Sequence, residues 1–452
     1  MHREKGSDRI YRIKPGLKIL LIPSKKVVNK NWKKVAILGA AKTGISCANY
    51  FSKKGANVLL SEVKQKNDHA FCGIKNLSDK VELEFGCHSD EILSCDLIIP
   101  SPGVSGDAPI LLSAKKKDIE ILSDIEIFFL LAKYKMIIAI TGTNGKTTTT
   151  SMVGEALKYA GCKTIVCGNI GAPVCDFIEK SDDKTYVVME VSSYQLDYTK
   201  NFAPHISVIL NITPDHLHRH KTMENYADIK SKIFINQKKD DFCILNKDDE
   251  LCLKLSQRCD STIRFFSSKE NKKILNLKIP GLHNIENALA SIEMLTAAGL
   301  SEKTIAKSLS DFNGVEHRLE FVRVLNGVNY INDSKGTNVS SSEVAIKSFN
   351  QPIILILGGR DKGSTYTPLI PLIKKNVKKI IAIGEAKEKI FTELKGATDI
   401  ILLDNIEEAV IKANEFAVSG DIVMLSPACA SFDHFENYEE RGKFFKKIVN
   451  NL

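Results

Sequence analysis

A short glycine-rich segment in the middle of the chain carries residue types that bind phosphate. Residues 141–148 read TGTNGKTT, follow an apolar run and open a helix-like stretch. Glycines let backbone N–H groups close around phosphate oxygens, and the start of a helix adds positive potential. Lys146 can reach the β- and γ-phosphates, and the Thr147 hydroxyl can bind Mg²⁺. Because Ile140 stands where the usual motif has its first glycine, we predict a shortened P-loop.

An acidic residue and three histidines lie further along the same block. Glu190 ends an apolar strand-like run, which is where a Mg²⁺ ligand is expected beside a P-loop. His216, His218 and His220 follow at a spacing of two. On a helix only the first and the last share a face, whereas on a strand all three do. No nearby cysteine completes a zinc set, so one histidine that assists a Mg²⁺–ATP site is the favoured interpretation.

Other polar or glycine-bearing loops also follow strand-like runs. Gly39 and Gly44 stand between a strand and a helix, but Ala41 replaces the second glycine of the dinucleotide motif, which disfavours NAD binding. In the last third of the chain, three polar loops follow strands, at residues 332–338, 358–363 and 426–433. Open α/β sheets bind ligands at the carboxyl ends of their strands, so these loops predict a binding edge.

The elements that must position these residues alternate between short β-branched runs and longer helix-like stretches. This βαβ rhythm predicts parallel sheets with helices on both faces. The strand-like runs fall into three blocks, beginning at residues 35, 136 and 328. We therefore predict an α/β protein of three domains, with boundaries near residues 123 and 314.

Length and composition narrow the class of protein. At 452 residues the chain is too long for one hydrophobic core, and 43% hydrophobic with 26% charged residues is typical of a globular protein. No run reaches the roughly 18 apolar residues of a membrane span. Eleven cysteines without a C-x-x-C pair indicate free thiols in a reducing cytoplasm. The net charge of +9 fits nucleic acid, an anionic surface or acidic substrates equally well.

The motifs, in their order along the chain, resemble those of the Mur ligase family. They are GTNGKT at 142–147, GNIG at 168–171, EVSSYQ at 190–195, N-x-T-x-DH at 211–216, HNIEN at 283–287, EHR at 316–318, NDSK at 332–335 and GG-x-DK at 358–362. The match runs from about Val35 to the end of the chain. Ser431 and Phe432, together with Lys362, resemble the D-glutamate-adding branch of the family.

The resemblance implies a division of labour among the domains. The implied segments are a basic N-terminal extension (1–34), an N-terminal Rossmann-like UDP-binding domain (35–123), a central ATP-binding domain with a P-loop ATPase-type parallel sheet (124–314), and a C-terminal Rossmann-like amino-acid-binding domain (315–452). It also implies substrate contacts. Those for the UDP substrate are Thr43, Gly103, Asn169 and Ser192, and those for D-glutamate are Lys335, Thr337, Lys362, Ser431, Phe432 and Tyr438. Where relatives often have Asp after the second strand, this chain reads Ser61-Glu62.

The ATP and metal sites follow from the same resemblance. The implied ATP contacts are Gly142, Thr143, Asn144, Gly145, Lys146, Thr147, Thr148, Asn287, Arg318 and Asp333. The implied ligands of two Mg²⁺ ions are Thr147, Glu190, His216 and Lys230. Lys230 matches a lysine that CO₂ carbamylates to N6-carboxylysine, and a carbamate offers oxygens that suit Mg²⁺. Lys146, His216 and Lys230 are therefore the expected catalytic residues.

The activity implied is an ATP-dependent amide-forming ligase of cytoplasmic peptidoglycan precursor synthesis. Its substrates would be UDP-N-acetylmuramoyl-L-alanine and D-glutamate, joined through an acyl phosphate by a monomer. One alternative keeps the fold but adds another amino acid, as in a folylpolyglutamate-type ligase. A second is a nucleotide-binding module without catalysis that binds nucleic acid through its basic charge. No aromatic–basic stripe or helix-turn-helix pattern supports nucleic-acid binding, and we expect none.

Overall fold

The first sheet has five parallel strands. A computed structural model describes residues 30–65, 74–169, 171–215, 217–271, 276–279, 281–361 and 363–452. The strands are β1 (Lys34–Leu38), β2 (Asn57–Glu62), β3 (Val81–Phe85), β4 (Leu97–Pro100) and β5 (Glu120–Ile121), and they lie across the sheet in the order β3-β2-β1-β4-β5. The helices around this sheet are α1 (Lys42–Lys53), α2 (Pro109–Lys116) and α3 (Asp124–Leu131).

The second sheet has six parallel strands. The strands are β6 (Met136–Thr141), β7 (Thr164–Gly168), β8 (Tyr186–Glu190), β9 (Ile206–Ile209), β10 (Phe242–Asn246) and β11 (Thr262–Phe266), and they lie across the sheet in the order β11-β10-β9-β6-β8-β7. The helices that follow them are α4 (Lys146–Tyr159), α5 (Ser193–Asp197), α6 (Leu217–His220), α7 (Met223–Ser231), α8 (Glu250–Ser256), α9 (Leu282–Ala297) and α10 (Glu302–Asp311). Every residue of β6 is buried, as expected of a strand covered on both faces.

The third sheet has six strands and is mixed. The strands are β12 (Glu320–Leu325), β13 (Val328–Asn332), β14 (Ile353–Gly358), β15 (Val377–Ile383), β16 (Asp399–Leu402) and β17 (Ile422–Leu425), and they lie across the sheet in the order β12-β13-β17-β14-β15-β16. The helices are α11 (Val339–Lys347), α12 (Ile370–Asn376), α13 (Lys387–Leu394), α14 (Ile406–Phe416) and α15 (Tyr438–Asn451). Strand β12 pairs antiparallel with β13, and the other five strands run parallel. The third sheet, which was predicted to be Rossmann-like, thus has an additional antiparallel strand at its edge.

Packing divides the chain into two compact units. Among the described residues, one unit comprises those within 30–276 and 285–311 and contains the first two sheets, and the other comprises those within 277–284 and 312–452 and contains the third. The first two sheets share one hydrophobic cluster, in which Val35 of β1 and Ile137 of β6 are fully buried. The α/β fold built on three sheets confirms the predicted fold class. The domain boundaries near residues 123 and 314 stay predictions.

Helix length and polarity indicate whether a helix could span a membrane. Among the helices of the described residues, none combines the length and the apolar character needed to cross a lipid bilayer.

Candidate active site

The predicted P-loop lies between β6 and α4, as the sequence pattern indicated. Gly142 and Gly145 have φ values of 153° and 84°, and the second lies in the left-handed region that favours glycine. A Cβ atom on Gly145 would lie 2.2 Å from the Asn287 side-chain oxygen. Glycine therefore lets Asn287, a predicted ATP contact, approach the loop closely. Asn287 also accepts a hydrogen bond from the Thr149 hydroxyl at 3.2 Å.

The N-x-T motif after β9 fastens the same loop. The backbone N–H of Thr143 donates to the Asn211 carbonyl at 2.9 Å, and that of Asn144 donates to the Asn211 side-chain oxygen at 2.8 Å. The Thr143 hydroxyl donates to the Thr213 carbonyl at 3.1 Å. Asn211 and Thr213 thus support the predicted P-loop, and their motif was visible in the sequence although this role was not.

Lys146, the first residue of α4, folds back over the loop. Its Nζ donates to the carbonyl oxygens of Gly142 at 2.9 Å and Thr143 at 2.7 Å. This holds the ammonium group against the glycine-rich loop at the N-terminus of a helix of 14 residues. The arrangement concentrates positive potential where a triphosphate would bind.

Glu190 brings three predicted site residues together at the end of β8. Its two carboxylate oxygens accept hydrogen bonds from the Thr147 hydroxyl at 2.9 Å and from the Asn169 amide at 3.0 Å. The residue is 3% exposed, and both of these donors are neutral groups. A buried carboxylate beside a hydroxyl and an amide forms an oxygen-rich set of the kind that Mg²⁺ prefers.

Lys230 lies beneath the P-loop and is not a surface lysine. It is 1% exposed, and its Nζ donates to the Gly142 carbonyl at 2.9 Å. The same atom lies 4.4 Å from the centroid of the Tyr226 ring. Burial, reinforced by the charge of Lys146, holds the pKa of the Lys230 amine well below its ordinary value, although Asp215 opposes the shift. Lys230 is therefore suited to a reaction that needs a neutral amine.

The three histidines of the cluster have different outcomes. His216 and the side chain of His218 lie outside the described residues. His220 is 1% exposed and stacks between the rings of Tyr194 and Tyr226, with centroids at 5.7 and 4.8 Å. Within the described parts of the chain, no group of three or more His, Cys, Asp or Glu side chains could hold a metal ion.

Two loops meet at the carboxyl ends of β1 and β4 in the first sheet. The Ser101 hydroxyl donates to the Gly39 carbonyl at 3.1 Å, which joins the loop that precedes Thr43 to the loop that contains Gly103. The Glu62 carboxylate accepts a hydrogen bond from the Ala40 N–H at 3.0 Å. The acid that ends β2 in this chain therefore supports the glycine loop.

Ser192, the other residue predicted to contact the UDP substrate, caps a helix of the second sheet. Its side chain accepts from the Gln195 N–H at 3.3 Å, and its backbone N–H donates to the Gln195 side-chain oxygen at 3.0 Å, which forms a capping box at the start of α5. The substrate-binding roles of Thr43, Gly103, Asn169 and Ser192 stay predictions.

The third sheet carries a buried acid at the end of β13. Asp333 is 4% exposed and accepts hydrogen bonds from the Ser426 hydroxyl at 2.7 Å and the Leu319 N–H at 3.2 Å. Burial raises its pKa to about 7, against the hydrogen bond from Ser426 and the positive charge of Arg318. Arg318 and Asp333, both predicted ATP contacts, therefore lie near each other.

The residues predicted to bind D-glutamate lie on loops of the same sheet. The Lys335 Nζ lies 5.8 Å from the centroid of the Tyr438 ring. Ser431 is 2% exposed, whereas Phe432 is 59% exposed. Thr337 follows in the loop before α11, and Lys362 lies outside the described residues.

Arg441 is a residue that sequence patterns did not single out. Its guanidinium is buried and donates to the carbonyl oxygens of Ser334 at 2.9 Å, Cys429 at 3.2 Å and Ala430 at 3.2 Å. It thereby ties the loop after β13 to the loop after β17. Burial lowers its pKa to about 10. A single arginine on a polar helix gives no sequence signal for this role.

Comparison with known proteins adds the family. The chain matches, in order, the Mur ligase MurD-like N-terminal domain over residues 33–123, the Mur ligase middle domain over 140–274 and the Mur ligase glutamate ligase domain over 317–429. Two solved structures share the fold across most of the chain. UDP-N-acetylmuramate-alanine ligase from Thermotoga maritima has a TM-score of 0.59 at 18% identity, covering 93% of this chain and 100% of that one. MurF from Acinetobacter baumannii has 0.57 at 18%, covering 91% and 93%. Both show the fold alone.

Curated relatives are more similar in sequence. The UDP-N-acetylmuramoylalanine–D-glutamate ligase of Clostridioides difficile is 42% identical over 446 residues, covering 93% of this chain and 99% of the relative. The ligase of the same name from Caldicellulosiruptor saccharolyticus is 41% identical over 450 residues, covering 93% and 99%. With this similarity and three consecutive domain matches, the chain belongs to the Mur ligase family.

Proposed function

We propose that this chain is an ATP-dependent ligase that joins D-glutamate to UDP-N-acetylmuramoyl-L-alanine in peptidoglycan precursor synthesis. The observation that carries the proposal is the 42% identity, over 93% of the chain, to a relative named as that ligase. The Mur ligase family uses ATP, and the loop at Gly142–Gly145 with Lys146 is built for a triphosphate. We further propose that the enzyme works in the cytoplasm as a monomer.

The reaction makes an amide from a carboxylate, which is a poor electrophile. The terminal carboxylate of the UDP substrate attacks the γ-phosphorus of ATP, and ADP leaves. The amine of D-glutamate then attacks the carbonyl carbon of the acyl phosphate, loses a proton, and phosphate departs through a tetrahedral intermediate. Lys146 and the backbone N–H groups of the loop would neutralise the charge that moves during phosphoryl transfer.

Two Mg²⁺ ions belong to this proposal. Thr147 and Glu190 would hold one of them, and their buried oxygens fit that role. His216 and a carbamylated Lys230 would hold the other. Bound Mg²⁺ offsets the negative charge on phosphate oxygens.

The position of Lys230 supports carbamylation. A neutral amine can attack CO₂ and release one proton, and the lowered pKa favours that neutral amine. The carbamate would place an anion close to the Lys146 ammonium, so the attraction between the two groups would stabilise it.

The D-glutamate site is proposed at the carboxyl ends of the third sheet. Lys335 and Lys362 would pair with the two carboxylates of the amino acid, because charge-assisted hydrogen bonds are strong. Thr337, Ser431, Phe432 and Tyr438 would complete the site. Arg441 would hold two of its loops in place without touching the substrate.

A panel of amino acids tests the function directly. Purified protein is incubated with ATP, Mg²⁺, UDP-N-acetylmuramoyl-L-alanine and one amino acid at a time, and phosphate release is measured. We expect release that depends on D-glutamate and on the UDP substrate. Release with another amino acid, or with a folate in place of the UDP substrate, would assign a different ligase activity. No amino-acid-dependent release would contradict the proposal.

A further inference from the structure

Arg219 contacts a loop of the first sheet, although it lies in α6, a helix that belongs with the second sheet. Its side chain is 9% exposed. Its Nη1 donates to the Val104 carbonyl at 2.6 Å, and its Nη2 donates to the Asp197 carboxylate at 3.3 Å. The guanidinium carbon lies 4.5 Å from the centroid of the Tyr194 ring. One planar cation therefore bonds in two directions and stacks on an aromatic ring.

The loop that Arg219 contacts supports the glycine turn of the first sheet. The Val104 N–H donates to the Ser101 carbonyl at 2.9 Å, and the Ser101 hydroxyl donates to the Gly39 carbonyl at 3.1 Å. The neighbouring residue Gly103 is predicted to contact the UDP substrate. The loop therefore lies in the part of the site that is predicted to bind the UDP substrate.

Close approach of this loop depends on a glycine. A Cβ atom on Gly106 would lie 3.3 Å from Nη2 of Arg219 and 3.4 Å from the Tyr198 hydroxyl. The first of these contacts is tight, so a larger residue would require the guanidinium to move by a few tenths of an ångström, whereas glycine lets the loop lie against it.

The other partners of Arg219 lie near residues that are predicted to form the ATP and Mg²⁺ site. Tyr194 and Asp197 belong to α5, which begins three residues after Glu190. His220, next to Arg219, stacks on Tyr226 at 4.8 Å. Tyr226 in turn lies under the Lys230 amine. Arg219 and the neighbours that pack against it thus connect the predicted UDP-binding loops of the first sheet with the predicted ATP-binding residues of the second sheet.

We propose that Arg219 is a positioning residue that sets the distance between the bound UDP substrate and the γ-phosphate of ATP. The inference rests on the proposed function, in which the UDP group of the substrate binds at the first sheet and the triphosphate of ATP binds at the second. Their approach then depends on how the loop at 101–107 is held against α5. Misplacement by about 1 Å can cost on the order of 10²-fold in rate. Lysine cannot replace the planar fork, because it offers a single point charge.

The test compares Arg219→Gln with Lys232→Gln in the full chain. Lys232 also bonds to Asp197, at its carbonyl oxygen at 2.9 Å, and serves as the matched control for loss of a cation near α5. For Arg219→Gln we expect kcat to fall by about 10²-fold and KM for the UDP substrate to rise, with the Kd for ATP within about twofold of wild type. Arg219→Lys should recover only part of the loss, and Lys232→Gln should stay near wild type.

Hydrogen exchange of the 101–107 amides provides a readout that does not need activity. The Arg219→Gln loop should exchange faster than in wild type or in Lys232→Gln. Unchanged exchange, unchanged kcat, or an equal weakening of ATP binding would overturn the positioning role. Wild-type protein that lacks D-glutamate-dependent phosphate release would instead overturn the proposed function, while the exchange result would still decide whether Arg219 holds the loop.

Discussion

Lys146 and Lys230 donate hydrogen bonds to the same carbonyl oxygen, that of Gly142, each with an N···O distance of 2.9 Å. Two ammonium groups this close to one acceptor repel each other, and Lys230 is also cut off from water. The burial of Lys230 and the charge of Lys146 both lower the pKa of the Lys230 amine. Two different groups therefore contact the P-loop. The Lys146 ammonium can bind phosphate, and the lowered pKa of Lys230 favours its neutral amine.

The first prediction concerns stability and pH in the absence of CO₂ and ligands. The unfolded chain binds more protons than the folded chain between the lowered pKa of Lys230 and its ordinary value of 10.5. Lys230 therefore makes the free energy of unfolding rise with pH across that window, by up to about 1.4 kcal/mol per pH unit. Lys230→Met should lose this contribution. The check is urea unfolding of both proteins at several pH values, and parallel curves would contradict the prediction.

The second prediction concerns carbamylation of Lys230. Lys230→Ala should lose at least about 10²-fold in activity, as expected when a group that supports phosphate charge is removed. Short-chain carboxylates should restore part of the activity, because they can supply the missing carboxylate oxygens. Lys232→Ala, at the C-cap residue that ends the same helix, is the matched control and should need no rescue. A carbamate carbon signal in ¹³C NMR after addition of labelled bicarbonate should appear in wild type and be missing in Lys230→Ala, and full activity of that variant would refute the idea.

The third prediction uses two glycines with similar backbone conformations. Gly145 has a φ of 84° and Gly161 a φ of 81°, but only at Gly145 would a Cβ atom meet a neighbour, the Asn287 oxygen at 2.2 Å. Gly161→Ala should cost about 1 kcal/mol from backbone strain alone. Gly145→Ala should cost more, about 2–4 kcal/mol, and should weaken ATP binding at least tenfold. Thermal unfolding and calorimetric titration with ATP provide the measurements, and equal effects of the two substitutions would count against the close packing of Asn287.

The fourth prediction concerns Asp333. Its pKa is raised from 3.8 to about 7 by burial, so the folded chain binds more protons than the unfolded chain between these values. The free energy of unfolding therefore falls as pH rises through this window, by up to about 1.4 kcal/mol per pH unit. Asp333→Asn keeps an acceptor for the Ser426 hydroxyl and should remove this decline. Chemical unfolding at pH 5 and pH 8 distinguishes the two proteins, and an identical decline in both would refute the assignment.

The central part of the site was predictable because local patterns determine it. The run at Met136–Thr141 is buried along its whole length, the GKT that follows begins α4, and Glu190 ends β8 as expected. Lys230 was identified only by resemblance, since its burial under Gly142 is a long-range contact that no neighbouring residue reveals.

Residues that act between loops escaped prediction for the same reason. Arg219 and Arg441 each bond to a backbone carbonyl distant in sequence, that of Val104 and that of Ser334 respectively, and a lone arginine on a helix usually points to solvent. Strand β12 was missed because most of its residues are partly exposed, so its apolar pattern is weak. Its antiparallel pairing with β13 is an edge arrangement that βαβ rhythm does not indicate.

The last prediction concerns the proposed metal site at Thr147 and Glu190. Glu190→Gln keeps an oxygen that can accept the Thr147 hydrogen bond of 2.9 Å, so the local packing should survive while the negative charge is lost. Mg²⁺ should therefore tighten ATP binding to wild type but not to the variant, because a carboxylate is its preferred ligand. The matched control is Glu155→Gln, because Glu155 is an exposed acid on α4, the helix that carries Thr147. This variant should keep the Mg²⁺ effect. Calorimetric titration of ATP with Mg²⁺ or with EDTA measures the difference, and an equal Mg²⁺ effect in wild type and Glu190→Gln would place the ion elsewhere.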